Sequence, residues 1–170
     1  MIVDLLLFVT ISLSLYTDLR YGKIYNKLTL PIVGLGIVIH GLKGLNGLLF
    51  SLGGLTLGIA LFFIPFALGW FGAGDVKLLG AIGALKGPKF IFYTVLSTGV
   101  FGGILSIINL IKREALFKTC KNLILSLILR SYTNISLDEA RDSEKYTYTT
   151  AIFLGTIATY VILHLGWELW

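Results

Sequence analysis

Two carboxylates carry most of the chemistry this sequence has to offer. Asp18 follows the apolar run from Ile2 to Thr17, and Asp75 closes the tetrapeptide Gly72-Ala73-Gly74-Asp75 ahead of a second apolar run. The chain holds only nine acidic residues, and most of the others lie in a polar stretch or near the termini. Two carboxyl groups held close together share a proton, because adjacent anions repel. One then activates water while the other polarises the carbonyl under attack, as in aspartic proteases. Position breaks the symmetry of such a pair. A helix start offers Asp75 free backbone N–H groups and the positive dipole end, worth about 0.3–1 kcal/mol to an anion, whereas Asp18 meets the opposite end. Asp75 is therefore expected to activate water and Asp18 to hold the proton, although the pair titrates as one unit. Gly72 and Gly74 are expected to shape the loop, because glycine lets the backbone pass close to a second segment.

Taken singly, each feature has a plainer reading. Asp18 could be an interfacial carboxylate paired with Arg20 or Lys23, and the GxGD tetrapeptide could be a helix-start turn. Acids at the edge of a membrane are functional by default, however, and two on one face point to a shared site. Lys77 reads as a membrane-flank anchor. Cys120 is the single cysteine, so neither an internal disulfide nor a CxxC zinc pair is available. His40 and His164 lie in apolar segments without ligand-type neighbours and read as packing or interfacial residues. No metal and no cofactor is expected.

The elements that must position the aspartates are membrane helices. Of 170 residues, 56% are hydrophobic, and the mean hydropathy is +0.88. Gly44 to Gly74, Phe90 to Ile111 and Tyr146 to Trp167 contain no Asp, Glu, Lys or Arg, and each is long enough to cross a hydrocarbon core of about 30 Å. The N-terminus lacks a basic region and a small-residue cleavage pattern, so it reads as a retained first helix and not as a cleaved signal. The expected fold is an all-α polytopic membrane protein with six transmembrane helices and a single domain over 1–170. The segments are about Ile2–Thr17, Leu28–Leu42, Leu45–Phe71, Asp75–Leu85, Phe90–Ile111 and Thr149–Trp167. Pro31 is expected in the first turn of the second, and Pro65 to kink the third.

The fourth segment is short, and charge decides whether it crosses. If it does, Arg20, Lys23, Lys27, Lys77, Lys112, Arg113, Lys118, Lys121, Arg130, Arg141 and Lys145 share one side, against Lys43, Lys86 and Lys89 on the other. If it does not, the asymmetry disappears. The positive-inside rule favours crossing and puts both aspartates, and Cys120, on the cytoplasmic side. A short crossing predicts that one end opens into a wet indentation. The same distribution accounts for the net charge of +5 without nucleic acid. Asn122–Leu129 reads as an interfacial helix and Ser131–Tyr148 as a loop, within a cytoplasmic stretch of about 112–148. Close helix packing is expected at the GxxxG pairs Gly54/Gly58 and Gly99/Gly103 and at Gly80/Ala84.

The run Asp18-Leu-Arg-Tyr-Gly-Lys-Ile-Tyr-Asn-Lys-Leu-Thr-Leu-Pro31, with Gly72-Ala-Gly-Asp-Val-Lys-Leu-Leu-Gly80, resembles the paired signatures of the type IV prepilin peptidases, archaeal preflagellin peptidases included. The resemblance implies six helices, a cytoplasmic active site in the cell membrane, and catalysis by Asp18 and Asp75. It also implies cleavage of short basic leaders from membrane-anchored prepilin-like or preflagellin-like precursors, with the lipid bilayer as surroundings. Tyr25 stands where many members have proline. The cysteine-bearing domain of the large bacterial members is absent, so their N-methyltransferase activity is not implied. Other readings are a presenilin-like protease, whose Pro-Ala-Leu motif is missing here, a carboxylate-relay transporter, and a non-catalytic pilus-assembly factor.

Overall fold

The computed structural model describes residues 1–67, 72–112 and 137–165, and all of their regular structure is helical. The helices are α1 (Ile2–Tyr21), α2 (Asn26–Gly41), α3 (Leu45–Ala67), α4 (Ala73–Lys112) and α5 (Leu137–His164). Ile2–Tyr21, Leu45–Ala67 and Ala73–Ile108 are long and apolar enough to span a bilayer, and Asn26–Gly41 and Tyr148–His164 are shorter apolar helices. The chain is thus a multi-pass membrane protein.

Helix α4 is two legs that fold back on each other. Gly87 has φ 81° and ψ −179°, outside helical space and in a region that favours glycine, and Pro88 follows it. A straight helix would hold Asp75 and Gly102 about 40 Å apart. Both instead meet one turn of α5: Thr149 donates to Asp75, and a Cβ on Gly102 would lie 3.7 Å from that of Ala151. Along the first leg α5 runs parallel, from Thr149 at Asp75 to Tyr160 at Lys86. Along the second it runs antiparallel, with Thr159 at Ser97, Gly155 at Thr98 and Ala151 at Gly102.

The other helices alternate in the same way. Helix α1 runs from Asp4 at Lys86 towards Asp75, α2 returns from Asn26 at Lys77 to His40 at Leu85, and α3 descends from Phe50 at Gly87 to Gly58 at Leu79. The described residues therefore form six helical segments of alternating direction, and the short expected fourth segment is the first leg of α4. That leg is the axis of the bundle. Every residue from Leu78 to Leu85 is buried, with α1, α2, α3 and α5 packed against α4. A helix apolar on all sides needs neighbours on all sides. Its shortness is accommodated by this central position.

Breaking a helix at Gly87-Pro88 leaves carbonyls without their usual partners, since Pro88 has no N–H to offer Ala84. Two side chains take up these acceptors. Ser51 Oγ donates to the Ala84 carbonyl at 2.8 Å, and His40 Nε2 donates to that of Leu85 at 2.9 Å. His40, read from sequence as a packing or interfacial residue, therefore serves as a side-chain cap, with its ring 5.0 Å from that of Phe50.

Close approach between α3 and the first leg is backbone to backbone. A Cβ on Gly54 would overlap the Gly83 carbonyl, and one on Gly83 would overlap that of Gly54. Gly58 lies against the Leu79 carbonyl, and Gly80 against Leu55 and Ile59. The Gly54/Gly58 and Gly80/Ala84 expectations thus hold, and Gly36 of α2 adds an unforeseen contact on the Ala84 carbonyl. Gly99 and Gly103 are a correction: a Cβ on either would meet nothing within 4 Å, because this face of α4 points away from its described neighbours.

Several boundaries also move. Helix α1 continues to Tyr21, so Asp18 lies in its last turn, and the Asp18 carbonyl accepts from Gly22 N, which is in the left-handed conformation. Helix α2 starts at Asn26, which puts Pro31 beyond the first turn. The loop expected over Ser131–Tyr148 is helical from Leu137. A polar helix carries no apolar period to betray it. The interfacial helix expected at Asn122–Leu129, Cys120, and the end of the third segment at 68–71 lie outside the described residues.

Candidate active site

Asp18 and Asp75 come together at one end of the bundle, opposite the Lys86 end. Asp18 is carried by the last turn of α1 and Asp75 by the first turn of α4, and both are buried, 6% and 8% exposed. The two carboxyl groups are near enough to interact electrostatically. Asp18 has no ion-pair partner among the described residues. Arg20 turns away to donate to the Tyr16 hydroxyl at 2.6 Å, stacking beside the Tyr16 and Tyr21 rings. The plainer reading of Asp18, as half of a surface ion pair, therefore finds no support.

The GxGD tetrapeptide has a local logic. Asp75 N donates to the Gly72 carbonyl at 3.1 Å, and Gly72 N donates back to Asp75 Oδ2 at 3.1 Å. This is the acidic half of a capping box, with the side chain at the third helical position satisfying the N–H before the helix. Asp75 is thereby fixed by its own turn. Gly74 faces the α1–α2 loop, where a Cβ would come within 3.0 Å of Ile24 Cβ. Gly72 is tight for a related reason, since a Cβ there would stand 3.3 Å from Asp75 Oδ2. Both glycines thus border the pair, one through its own turn and one through the neighbouring loop.

The loop after Asp18 is tied to the same helix. Tyr25, in the position that proline often takes, has extended backbone (φ −80°, ψ 133°) and ends the loop as the N-cap of α2. Its carbonyl accepts from Leu28 N at 2.9 Å. Lys77 Nζ donates to Asn26 Oδ1 at 2.9 Å, so Lys77 links the start of α2 to the turn bearing Asp75. The loop from Gly22 to Tyr25 is therefore held at both ends, beside the two carboxyl groups.

One contributor was not foreseen. Thr149 of α5, 1% exposed, donates from Oγ1 to Asp75 Oδ1 at 3.0 Å. Asp75 thus receives a donor on each oxygen, whereas Asp18 Oδ2 has no hydrogen-bond partner among the described residues. No group of three or more His, Cys, Asp or Glu placed to hold a metal ion occurs among the described residues. His40 and His164 lie at the opposite end, the latter stacked on Tyr160.

Fold and site together define a helical multi-pass membrane protein with a buried pair of aspartates at one end of its bundle. Residues 5–107 match the type IV leader peptidase family, and the chain belongs to that family. It is also similar to the prepilin peptidase EppA of Methanothermobacter thermautotrophicus, 33% identical over 94 residues. That match covers 49% of this chain and 23% of EppA, so the chain spans about a quarter of the relative's length. No solved structure matches the chain.

Proposed function

We propose that this protein is a membrane aspartic endopeptidase that removes short basic leaders from prepilin-like precursors, pilin or archaellin, at the cytoplasmic face. The observation that carries this reading is the burial of Asp18 and Asp75 together at one end of the bundle, in a chain of the leader peptidase family. Asp75, with a donor on each oxygen, suits the carboxylate that activates water. Asp18, whose Oδ2 has no hydrogen-bond partner among the described residues, suits the acid that polarises the scissile carbonyl. Gly72 and Gly74 keep the loop close to the pair. No metal or cofactor is needed for this chemistry.

Six alternating segments support six membrane crossings. Arg20, Lys23, Lys27 and Lys77 cluster in sequence around the aspartates, while Lys43 and Lys86 belong to the other end, which favours a cytoplasmic site. This orientation has a direct test. In a Cys120→Ser background, Lys43→Cys should react with a membrane-impermeant thiol reagent on intact cells, and Lys77→Cys only after lysis. The reverse pattern would invert the topology.

A site at a bundle end meets its substrate at the membrane surface, so the cut should fall before the precursor's hydrophobic segment. Purified protein in detergent, incubated with a prepilin-type precursor, should yield that mature N-terminus by mass spectrometry. A cut inside the apolar segment would favour an intramembrane protease of the presenilin kind, and no cut would leave the transporter and assembly-factor readings.

A further inference from the structure

We propose that Thr149 is a positioning residue for the aspartate pair, its hydroxyl holding the Asp75 carboxyl in place. The inference rests on the peptidase reading above and deepens it. Thr149 reaches Asp75 from α5, the third wall of the site after α1 and α4. A hydroxyl has one proton to donate and lone pairs to accept with. The proton of Thr149 goes to Asp75 Oδ1, 3.0 Å away. Gly72 N–H occupies Asp75 Oδ2 in the same manner. Both Asp75 oxygens are thus held, one by its own turn and one by α5.

The placement is rigid. Thr149 lies on the buried face of α5 with Ala151, Ile152, Gly155, Thr156 and Thr159, and Gly155 lets this face press onto the Thr98 backbone. Thr149 itself is buried, so neither bulk water nor an alternative side-chain position replaces its bond cheaply. A role confined to packing would be filled equally well by valine, which has the same shape without the hydroxyl.

The test compares Thr149→Val and Thr149→Ser with wild type in detergent, using a prepilin-type precursor, with Asp18→Asn and Asp75→Asn alongside. Thr149→Val should lower kcat roughly ten- to a hundredfold, the usual effect of a lost hydrogen bond to a charged group, with KM within about twofold. The acid limb of its pH–rate profile should be displaced. Thr149→Ser should restore most of kcat and the profile, and thermal unfolding should show both variants folded. Wild-type kcat and pH profile in a folded Thr149→Val would overturn the proposal, as would a Thr149→Ser as slow as Thr149→Val. If the two Asp→Asn variants still cleave, the peptidase reading itself falls. If they are inactive while Thr149→Val is unimpaired, only the role of Thr149 falls.

Discussion

Asp18→Asn and Asp75→Asn should each reduce precursor cleavage by roughly a thousandfold or more while leaving the protein folded in the membrane. The amide keeps the size of the carboxyl group, so the packing around both positions survives. What is lost differs between the two. Asn at 18 cannot deliver a carboxyl proton, and Asn at 75 cannot take one from water. The double variant should be hardly slower than either single, because residues acting as one unit are strongly non-additive. Glutamate should fail at both positions too. An extra methylene displaces the carboxyl by about 1 Å, and at Asp75 it also breaks the short reach back to Gly72 N. Matched amounts of each variant, assayed for precursor processing, decide the matter. Substantial cleavage by either single Asn variant would sink the aspartic mechanism.

The largest structural effect is expected at Gly54. Its Cα faces the Gly83 carbonyl so closely that even alanine must push α3 away from the central leg of α4. Separation would break van der Waals contact along the whole Phe50–Gly58 stretch and pull Ser51 from the Ala84 carbonyl. Gly54→Ala should therefore cost about 3 kcal/mol or more, within the range of severe overpacking. Gly99→Ala is the control. Its Cβ would meet nothing, so stability should change by less than about 0.5 kcal/mol. Thermal unfolding in detergent compares the two, and equal shifts would contradict the packing described for α3 and α4.

The aspartate pair was legible in the sequence because apolar blocks leave few acids, and those at block edges stand out. The alternation of segments was legible from the lysines and arginines, whose asymmetry appears only if the short fourth segment reverses the chain. Thr149 was not legible in the same way. It lies in the run Tyr146-Thr-Tyr-Thr-Thr150, and nothing in that run says which hydroxyl faces inward until the phase of α5 is fixed by packing. The capping by Ser51 and His40 was hidden for a similar reason. Its need arises at Gly87-Pro88, but its donors come from α2 and α3, more than thirty residues earlier. GxxxG spacing, finally, identifies a face that permits close approach and does not say whether a partner arrives. Gly54 and Gly58 have one among the described residues, and Gly99 and Gly103 do not.

The reversal at Gly87 bears on how the chain is made. With a single non-helical residue between the legs of α4, neither leg has a loop to wait in while the other is synthesised. The first leg, about 22 Å long at 1.5 Å per residue, is too short to hold a bilayer position alone. It is also the segment that every other helix packs around. Residues 73–112 are therefore expected to leave the ribosome exit channel and partition as one paired unit, entering between helices that are already in place. The aspartate of the first leg would then meet that of α1 as this unit inserts, and α5, made afterwards, would close the bundle around the axis.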